Sequence, residues 1–177
     1  HFAVAGVNNH YLTFGSSAEV DRVLDDATAL GANVVRTFIQ PVIGSLDGAG
    51  RPTIWDWHNG ASSNDLGVHG AYVLYWDDHA DRMGINDGPN GLQRLDYLVA
   101  EAGKRNLRLI IAFVDFWAFT GGIQQMRAWY GSEDKNTFFF SDQRTREDYQ
   151  RLVSHVVLRR NTITGVVYRD DPTIFAW

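Results

Sequence analysis

The sequence predicts an α/β fold in which short parallel strands alternate with amphipathic helices, and three observations support this. Strand-like and helix-like hydrophobic patterns alternate along the whole chain, which is typical of βαβ units with right-handed crossovers. Residues 107–114 are almost continuously apolar, as in a parallel strand buried on both faces. Polar side chains follow the predicted strands, where parallel α/β enzymes keep their chemistry.

The first three elements are a strand, a helix and a second strand. Residues 2–10 are apolar and end in polar groups, and residues 33–39 form a β-branched run. Ser16 and Glu19 have the spacing of a capping box, which predicts a helix start, and Gly31 suits the left-handed residue that ends a helix. The residues at helical spacing that we expect to face inward are Val20, Val23, Leu24, Ala27 and Leu30.

The second half repeats this order. A helix over residues 91–105 precedes the apolar strand 107–114, and a third helix over 142–160 precedes a fourth strand over 173–177. The Asp171-Pro172 pair separates the last two elements, because the residue before proline avoids helical geometry. The inward faces are predicted to hold Leu92, Leu95, Leu98, Val99 and Ala102 in one helix, and Tyr149, Leu152, Val153, Val156 and Val157 in the other.

Composition excludes several classes of function. The chain of 177 residues carries a formal net charge of -5, which disfavours binding to a nucleic-acid backbone. It has no cysteine, so disulfides, thiolate chemistry and cysteine-ligated zinc are excluded. No apolar run approaches the roughly 18 residues of a membrane span. We predict no metal and no cofactor, because no phosphate-binding glycine loop and no helical pair of zinc-binding histidines is found.

Two architectures fit this element order, a doubly wound open sheet and part of a (β/α)8 barrel. The turn after the first strand carries Asn8 and His10 in place of a glycine cluster, which argues against a nucleotide-binding open sheet. A complete barrel needs about 250 residues and eight strands. We therefore expect a TIM barrel truncated to about its first four strands and three helices, with residues 1–177 as the N-terminal half of one catalytic domain.

Three strand-end residues are the main candidates for a site. Arg36 follows Val34 and Val35 at the end of the second strand, and a buried guanidinium needs a carboxylate partner. It either orients a catalytic carboxylate or forms a structural ion pair. Asp115 follows the third strand and is a general acid or base, an acceptor for sugar hydroxyls, or a turn cap. Trp117 is either a platform for a sugar ring or part of the rim packing.

The segment from Gln40 to Asn90 is long for a connection between a strand and a helix, and long loops on a rigid scaffold are usually functional. Its aromatic rings either stack on sugar faces or pack the loop locally. An acidic turn within it is read as solvated, since its spacing matches no cation loop. The aromatic residues are Trp55, Trp57, Tyr72, Tyr75 and Trp76, and the acidic turn holds Asp77, Asp78, His79 and Asp81.

Four stretches together resemble glycoside hydrolase family 5, in particular endo-β-1,4-mannanases of the plant and fungal type. They cover essentially the whole chain except much of residues 45–88, and the last is the most specific. They are residues 6–11 (Gly-Val-Asn-Asn-His-Tyr), residues 34–38 (Val-Val-Arg-Thr-Phe), residues 91–97 with 106–117 and Gly121-Gly122, and residues 160–177.

The resemblance implies hydrolysis of internal β-1,4-mannosidic bonds in mannans by a retaining mechanism with two glutamates, both expected beyond residue 177. It implies that Arg36 supports the nucleophile and that Trp117 lines a subsite on the glycone side. Asn8 and Phe38 are then strand-end residues facing the cleft, and Asp115 stands where the family often has asparagine. Trp76 is a further substrate-binding candidate, which comes from the aromatic residues of the long segment and not from the resemblance. Secretion is likewise implied by the resemblance alone.

Two alternatives stay open on the residues. One is another family 5 β-glycanase, such as a cellulase or β-glucanase, because mannose and glucose differ only at the hydroxyl of the second carbon. The other is a carbohydrate-binding half-barrel without catalysis. The expected partners are a mannan or related β-glycan and the missing C-terminal half of the barrel, with no nucleic acid and no membrane.

Overall fold

A parallel sheet with helices on one side forms the centre of this computed structural model, which describes residues 2–46, 50–54, 70–132 and 138–177. The strands in chain order are β1 (Gly6–Asn8), β2 (Val34–Phe38), β3 (Val42–Ser45), β4 (Leu74–Asp77), β5 (Arg82–Ile85), β6 (Arg108–Ala112) and β7 (Ile174–Ala176). The helices are α1 (Ser17–Ala29), α2 (Leu92–Lys104), α3 (Gly122–Trp129), α4 (Phe138–Ser141) and α5 (Gln143–Val157).

The central sheet contains β1, β2, β6 and β7 in that spatial order, and every neighbouring pair is parallel. This is the arrangement of consecutive strands in a (β/α)8 barrel. One row of residues crosses all four strands, since Asn8 pairs with Arg36, Arg36 with Ile110, and Ile110 with Ala176. Side chains alternate between the two faces of a strand, so this row and its second neighbours share the face away from the helices.

Helix α1 begins and ends as its sequence predicts. The Ser16 hydroxyl accepts a hydrogen bond from the Glu19 backbone N–H at 3.3 Å, and the Glu19 carboxylate accepts one from the Ser16 backbone N–H at 2.7 Å. Gly31 follows the helix with φ +79°, a left-handed conformation that costs glycine little. Leu30 was predicted to face inward and is 80% exposed, because it caps the helix end and has left the buried stripe.

The hydrophobic core lies between the sheet and the helices, and the predicted inward residues of α2 are all buried in it. Leu152 and Val156 of α5 are also fully buried. Burial of β6 on both faces was predicted and is only half correct. Leu109 and Ile111 are buried against the helices, whereas Ile110 and Ala112 are half-buried on the opposite face.

The long segment after β2 contains a second sheet that sequence patterns did not predict. Strands β3 and β4 pair in parallel, and β4 pairs with β5 antiparallel. This sheet packs on α3, a helix that was also missed: the Trp129 indole N–H donates to the Ile43 carbonyl at 2.9 Å, and the Val42 N–H donates to the Thr120 carbonyl at 2.9 Å. Trp55 and Trp57 lie outside the described residues.

A buried carboxylate joins α2 to the segment that precedes β7. Asp96 is 0% exposed and accepts hydrogen bonds from Arg159, from the Tyr168 hydroxyl at 2.6 Å and from the Thr162 hydroxyl at 2.8 Å. Asn161 donates to the Asp96 backbone carbonyl at 3.0 Å. The residue types of this stretch, the most specific part of the family resemblance, are thus explained by a structural cluster.

Across the described helices, none combines the length and apolar character needed to cross a membrane.

Candidate functional site

A cleft of about 670 Å³ opens at the carboxyl ends of β1, β2 and β6. Five of the six residues that the sequence singled out as site residues line it: Asn8, Arg36, Phe38, Asp115 and Trp117. The remaining lining residues are His10, Val114, Phe116 and Phe119. The predicted residues meet here because the carboxyl ends of parallel neighbours lie at the same edge of the sheet.

Arg36 occupies the middle of the cleft wall. Its Nη1 donates to the Asn8 side-chain oxygen at 3.0 Å, and its guanidinium lies 4.3 Å from the centroid of the Phe38 ring, a cation–π contact. No ion pair is found for Arg36 among the described residues, so the expected carboxylate partner does not lie among them. The expected burial is wrong, because the side chain is exposed. The physical reason is its place on the sheet face away from the helices.

Asp115 is the buried carboxyl group of the cleft, with an exposed fraction of 8%. Its Oδ2 accepts a hydrogen bond from the Gln40 amide at 2.5 Å. Burial raises the pKa of Asp115, and the hydrogen bond from Gln40 opposes the rise. The Asp115 backbone carbonyl accepts from the Ile123 N–H at 2.9 Å at the start of α3, so the carboxyl group is held from both its side chain and its backbone.

Two glycines let the chain pass close behind Asp115. A Cβ atom on Gly122 would lie 2.4 Å from Asp115 Oδ1, and one on Gly121 would lie 1.8 Å from the Val42 carbonyl oxygen. Both have positive φ, +97° for Gly121 and +49° for Gly122. Gly122 is also the first residue of α3, so the turn leads directly into that helix.

His10 and Phe119 are lining residues whose importance sequence reasoning underestimated. His10 appeared there only as one of several polar strand-end residues, and Phe119 was not considered. The imidazole of His10 lies 4.7 Å from the Phe38 ring and 4.9 Å from the Phe119 ring. Burial lowers the pKa of His10, and the charge of Arg36 lowers it further. The signal available in the sequence was the position of His10, two residues beyond the end of β1 at Asn8.

Trp117 supplies the exposed aromatic surface of the cleft. It is 70% exposed and touches Phe116 edge-on at 5.3 Å between ring centroids. So large an exposed indole at the mouth of a cleft is a surface that a flat apolar ligand face can cover. The alternative that Trp117 packs against the rim is disfavoured by this exposure.

Trp76, the sixth candidate, lies elsewhere and is 2% exposed. Its ring is covered by the Arg51 guanidinium at 3.8 Å and packs against Trp129 and Tyr130. The expectation that Trp76 stacks on a ligand is therefore corrected: both its position and its burial place it in the packing between the second sheet and α3. The reading of local aromatic packing holds for this ring.

The acidic turn after β4 is built as a local cap. The Asp77 carboxylate accepts from the backbone N–H groups of His79 and Ala80, at 3.0 and 3.1 Å. Arg51 lies 4.0 Å from Asp78 and 3.7 Å from Asp81, so a protein cation offsets the acidic charge. In the part of the chain that the structure describes, no group of three or more potential ligands could hold a metal ion.

The cleft combines groups suited to binding a polar, ring-containing ligand. It offers an exposed indole, a guanidinium, an amide and a single carboxyl group, that of Asp115, among the described lining residues. A retaining glycosidase needs two carboxyl groups about 5–5.5 Å apart. Among the described lining residues, the cleft does not contain such a pair.

The fold and the cleft together define a protein of the (β/α)8-barrel type with its site at the carboxyl ends of the strands. Residues 89–177, half of the chain, match the family model described as GH family 5 beta-mannosidase-like. The chain therefore belongs to glycoside hydrolase family 5, in its β-mannosidase-like branch.

Curated relatives and solved structures agree with this assignment. The chain is 30% identical over 174 residues to mannan endo-1,4-beta-mannosidase F of Aspergillus clavatus, covering 98% of the chain and 33% of that protein. It is 30% identical over 176 residues to mannan endo-1,4-beta-mannosidase A of Podospora anserina, covering 98% and 38%. The chain thus spans roughly a third of the length of the curated relatives it matches.

The endo-1,4-beta-mannanase of Rhizomucor miehei superposes with a TM-score of 0.80 at 28% identity, covering 99% of this chain and 43% of that one. The endo-beta-1,4-mannanase of Thermotoga petrophila gives a TM-score of 0.70 at 28% identity, covering 99% and 34%. These likenesses confirm the predicted α/β barrel fold and the family resemblance.

Proposed function

We propose that the cleft binds β-1,4-linked mannosyl residues and that the whole protein hydrolyses internal bonds of mannan. The observation that carries this proposal is the convergence of Asn8, Arg36, Phe38, Asp115 and Trp117 on one cleft at the strand ends. The similarity to proteins named mannan endo-1,4-beta-mannosidase supports the choice of substrate.

Each residue has a role that its surroundings suit. The exposed indole of Trp117 covers the apolar face of one sugar ring, on the glycone side of the scissile bond. The carboxylate of Asp115 and the amide of Asn8 bond sugar hydroxyls, since a carboxylate accepts hydrogen bonds and an amide both accepts and donates them. Phe38 forms the apolar wall beneath Arg36.

We propose that Arg36 holds a catalytic carboxylate contributed by another part of the whole protein. A guanidinium has five donor N–H groups, and among the described residues the side chain donates only to Asn8. It is permanently charged and matches a carboxylate in a bidentate geometry, so it would keep such a group ionised. Orienting the nucleophile is therefore a positioning role, and not a catalytic one.

The proposed reaction is retaining hydrolysis. One carboxylate attacks the anomeric carbon and forms a covalent glycosyl intermediate, while the other protonates the leaving oxygen and then activates the incoming water. We assign neither role to Asp115, because it is the single described carboxyl group of the cleft and hydrogen bonds already hold it. The 177-residue chain by itself is therefore proposed to bind mannan without cleaving it, and the whole protein to act outside the cell.

Calorimetric titration of the chain with mannohexaose and cellohexaose tests the proposal. We expect mannohexaose to bind at least about tenfold more tightly, and Trp117→Ala to weaken it about fivefold to tenfold, as the loss of an aromatic contact of about 1 kcal/mol requires. Phe140→Ala is the matched control, because that ring is 71% exposed and lies outside the cleft.

Four outcomes would contradict parts of the proposal. Equal binding of the two sugars favours the β-glucanase alternative, and binding that is indifferent to Trp117 moves the site out of the cleft. Release of reducing ends from mannan by the repurified chain would require a carboxylate pair that the described residues do not provide. Binding without turnover in the whole protein would favour the non-catalytic carbohydrate-binding alternative.

A further inference from the structure

His10 is clamped at the wall of the cleft. Its ring lies between Phe38 and Phe119, at 4.7 and 4.9 Å between centroids, which fixes the plane of the imidazole. In this orientation Nε2 points into the protein, 3.4 Å from the Thr120 hydroxyl and 3.8 Å from Asp115 Oδ2. The side chains are 20% exposed for His10 and 7% for Asp115, so solvent screens their interaction only partly.

We propose that His10 and Asp115 titrate as one pair, and that the proton they share sets the hydrogen-bonding polarity of this wall of the cleft. His10 thereby becomes a specificity-determining residue of the site. The pairing stands on the geometry of the two side chains. Only its consequence for a sugar ligand rests on the function proposed above.

The elements packed against the His10–Asp115 pair surround it with charged and neutral polar groups. Arg36 approaches His10 from β2, and Asp115 approaches from the segment after β6, while Gln40 and Thr120 contribute neutral polar groups. Burial lowers the pKa of His10 from 6.5, with Arg36 adding to the effect. Burial also raises the pKa of Asp115 from 3.8, against the hydrogen bond from Gln40.

The pKa of His10 is lowered and that of Asp115 is raised, so the two shifts bring the titrations of the two groups closer together. Because the two side chains lie 3.8 Å apart, their charges interact. The midpoint for uptake of the first proton is then a property of the pair and not of either residue alone. That proton comes from solvent and is held either as an imidazolium beside a carboxylate or as an imidazole beside a carboxylic acid. In both forms the charge of the pair rises from minus one to zero.

The protonation state of the His10–Asp115 pair determines which hydrogen bonds this wall of the cleft can make to a ligand. Without the extra proton, Asp115 is a carboxylate that accepts hydrogen bonds from sugar hydroxyls. With it, the carboxyl group is neutralised or engaged by His10, and its capacity as an acceptor falls. Sugar affinity is therefore expected to fall by up to tenfold per pH unit as the pH drops through the titration of the pair.

Nuclear magnetic resonance of the chain without sugar tests the pairing. We expect the His10 imidazole nitrogens and the Asp115 carboxyl carbon to share one titration midpoint. Asp115→Asn should lower the His10 midpoint by at least half a pH unit, because it removes the nearby negative charge. Asp87→Asn is the matched control, because Asp87 also lies beside a histidine, 2.9 Å from His155 Nε2, but outside the cleft, so it should leave the His10 midpoint unchanged.

Independent midpoints for His10 and Asp115, or a His10 midpoint that Asp115→Asn leaves within 0.2 pH units, would overturn the pairing whether or not sugar binds. His10→Phe keeps an aromatic ring in the clamp and removes the imidazole, so the dependence of sugar affinity on pH should shift from the midpoint shared by the pair to that of Asp115 alone. His10→Gln serves the same purpose if the phenyl ring prevents folding. A shared titration in a chain that binds no sugar would support the pair and contradict the proposed function.

Discussion

Arg159 and Asp96 form two parallel hydrogen bonds, Nε to Oδ1 at 2.9 Å and Nη2 to Oδ2 at 2.7 Å. This bidentate geometry is the strongest form of the interaction between these side chains. Burial alone would raise the pKa of Asp96, but the hydrogen bonds from Arg159, Tyr168 and Thr162 hold it below its usual value. The pair therefore favours the folded chain, because it connects α2 to the segment leading into β7.

Replacing Asp96 by asparagine should destabilise the fold strongly. The change removes the buried counter-charge of the Arg159 guanidinium and leaves the half-exposed Asp87 as its carboxylate partner, and breaking one side of a buried ion pair costs about 3–5 kcal/mol. Chemical denaturation followed by circular dichroism measures the loss. Asp170→Asn is the control, since Asp170 and its partner Arg169 are both exposed, and we expect it to change stability by less than about 0.5 kcal/mol. Similar losses for both variants would refute the structural role of Asp96.

The same cluster predicts a loss of stability in acid. A carboxyl group whose folded pKa is lowered contributes stability that is fully present above its unfolded pKa of about 3.9 and is lost as pH falls through the folded pKa. Unfolding free energy measured from pH 6 down to pH 2 should therefore decline below about pH 4. Asp96→Asn should show a shallower decline over that range, and an unchanged slope would assign the acid sensitivity to other carboxylates.

Substitutions at two tryptophans should separate an effect on sugar binding from an effect on the stability of the fold. Trp117 is 70% exposed, so Trp117→Ala should leave the unfolding free energy within about 0.5 kcal/mol while weakening sugar binding. Trp76 is 2% exposed among packed rings, so Trp76→Ala should cost about 3–5 kcal/mol. Thermal denaturation and calorimetric titration of both variants measure the two effects. A stable Trp76→Ala variant with lost binding would restore the original expectation for that residue.

Gly122→Ala should displace Asp115. The new Cβ would lie 2.4 Å from Asp115 Oδ1 and 2.5 Å from the Trp117 carbonyl oxygen, so the wall of the cleft must move. Gly131→Ala is matched, because Gly131 also has a positive φ, +65°, and nothing lies within 4 Å of its Cβ position. Both variants should lose about 1–2 kcal/mol to left-handed strain. Only Gly122→Ala should also weaken sugar binding, and equal binding in the two would separate Asp115 from the ligand.

Arg36→Ala in the whole protein should reduce turnover more than it reduces binding. The exposed guanidinium contributes little to stability, and its proposed effect on a catalytic carboxylate matters most while charge develops at the sugar. Comparing kcat and KM for mannan with those of the unmodified protein measures the split. Arg36→Lys controls for charge without bidentate geometry. An equal loss of turnover and binding would mean that Arg36 is structural.

Position along a strand was the most informative feature of the sequence. Side chains that follow neighbouring parallel strands emerge at the same edge of the sheet. The sequence alone could therefore place Asn8, Phe38 and Asp115 at that edge. Their burial could not be predicted in the same way. Arg36 was expected to be enclosed, yet local sequence does not say which sheet face the helices cover.

Tertiary packing explains the other differences. Trp76 was a candidate for ligand binding because it lies in a segment rich in aromatic residues. In the structure it is buried by Arg51 and Trp129, which are distant from it along the chain. Strands β3–β5 have four residues each, too few for alternation to stand out in the sequence. Helix α3 was missed because Gly121 and Gly122 indicate a turn, while their role at the start of a helix depends on the close approach of Val42.

The row that joins Asn8, Arg36, Ile110 and Ala176 makes the cleft sensitive to single-residue insertions. Inserting one residue near the start of β2 would slip its register by one position and turn Val35, which is now fully buried, toward the cleft in place of Arg36. The guanidinium would then point into the core beneath the helices. An insertion in a surface turn would leave this row intact, so the strands of the central sheet should tolerate substitutions far better than changes in length.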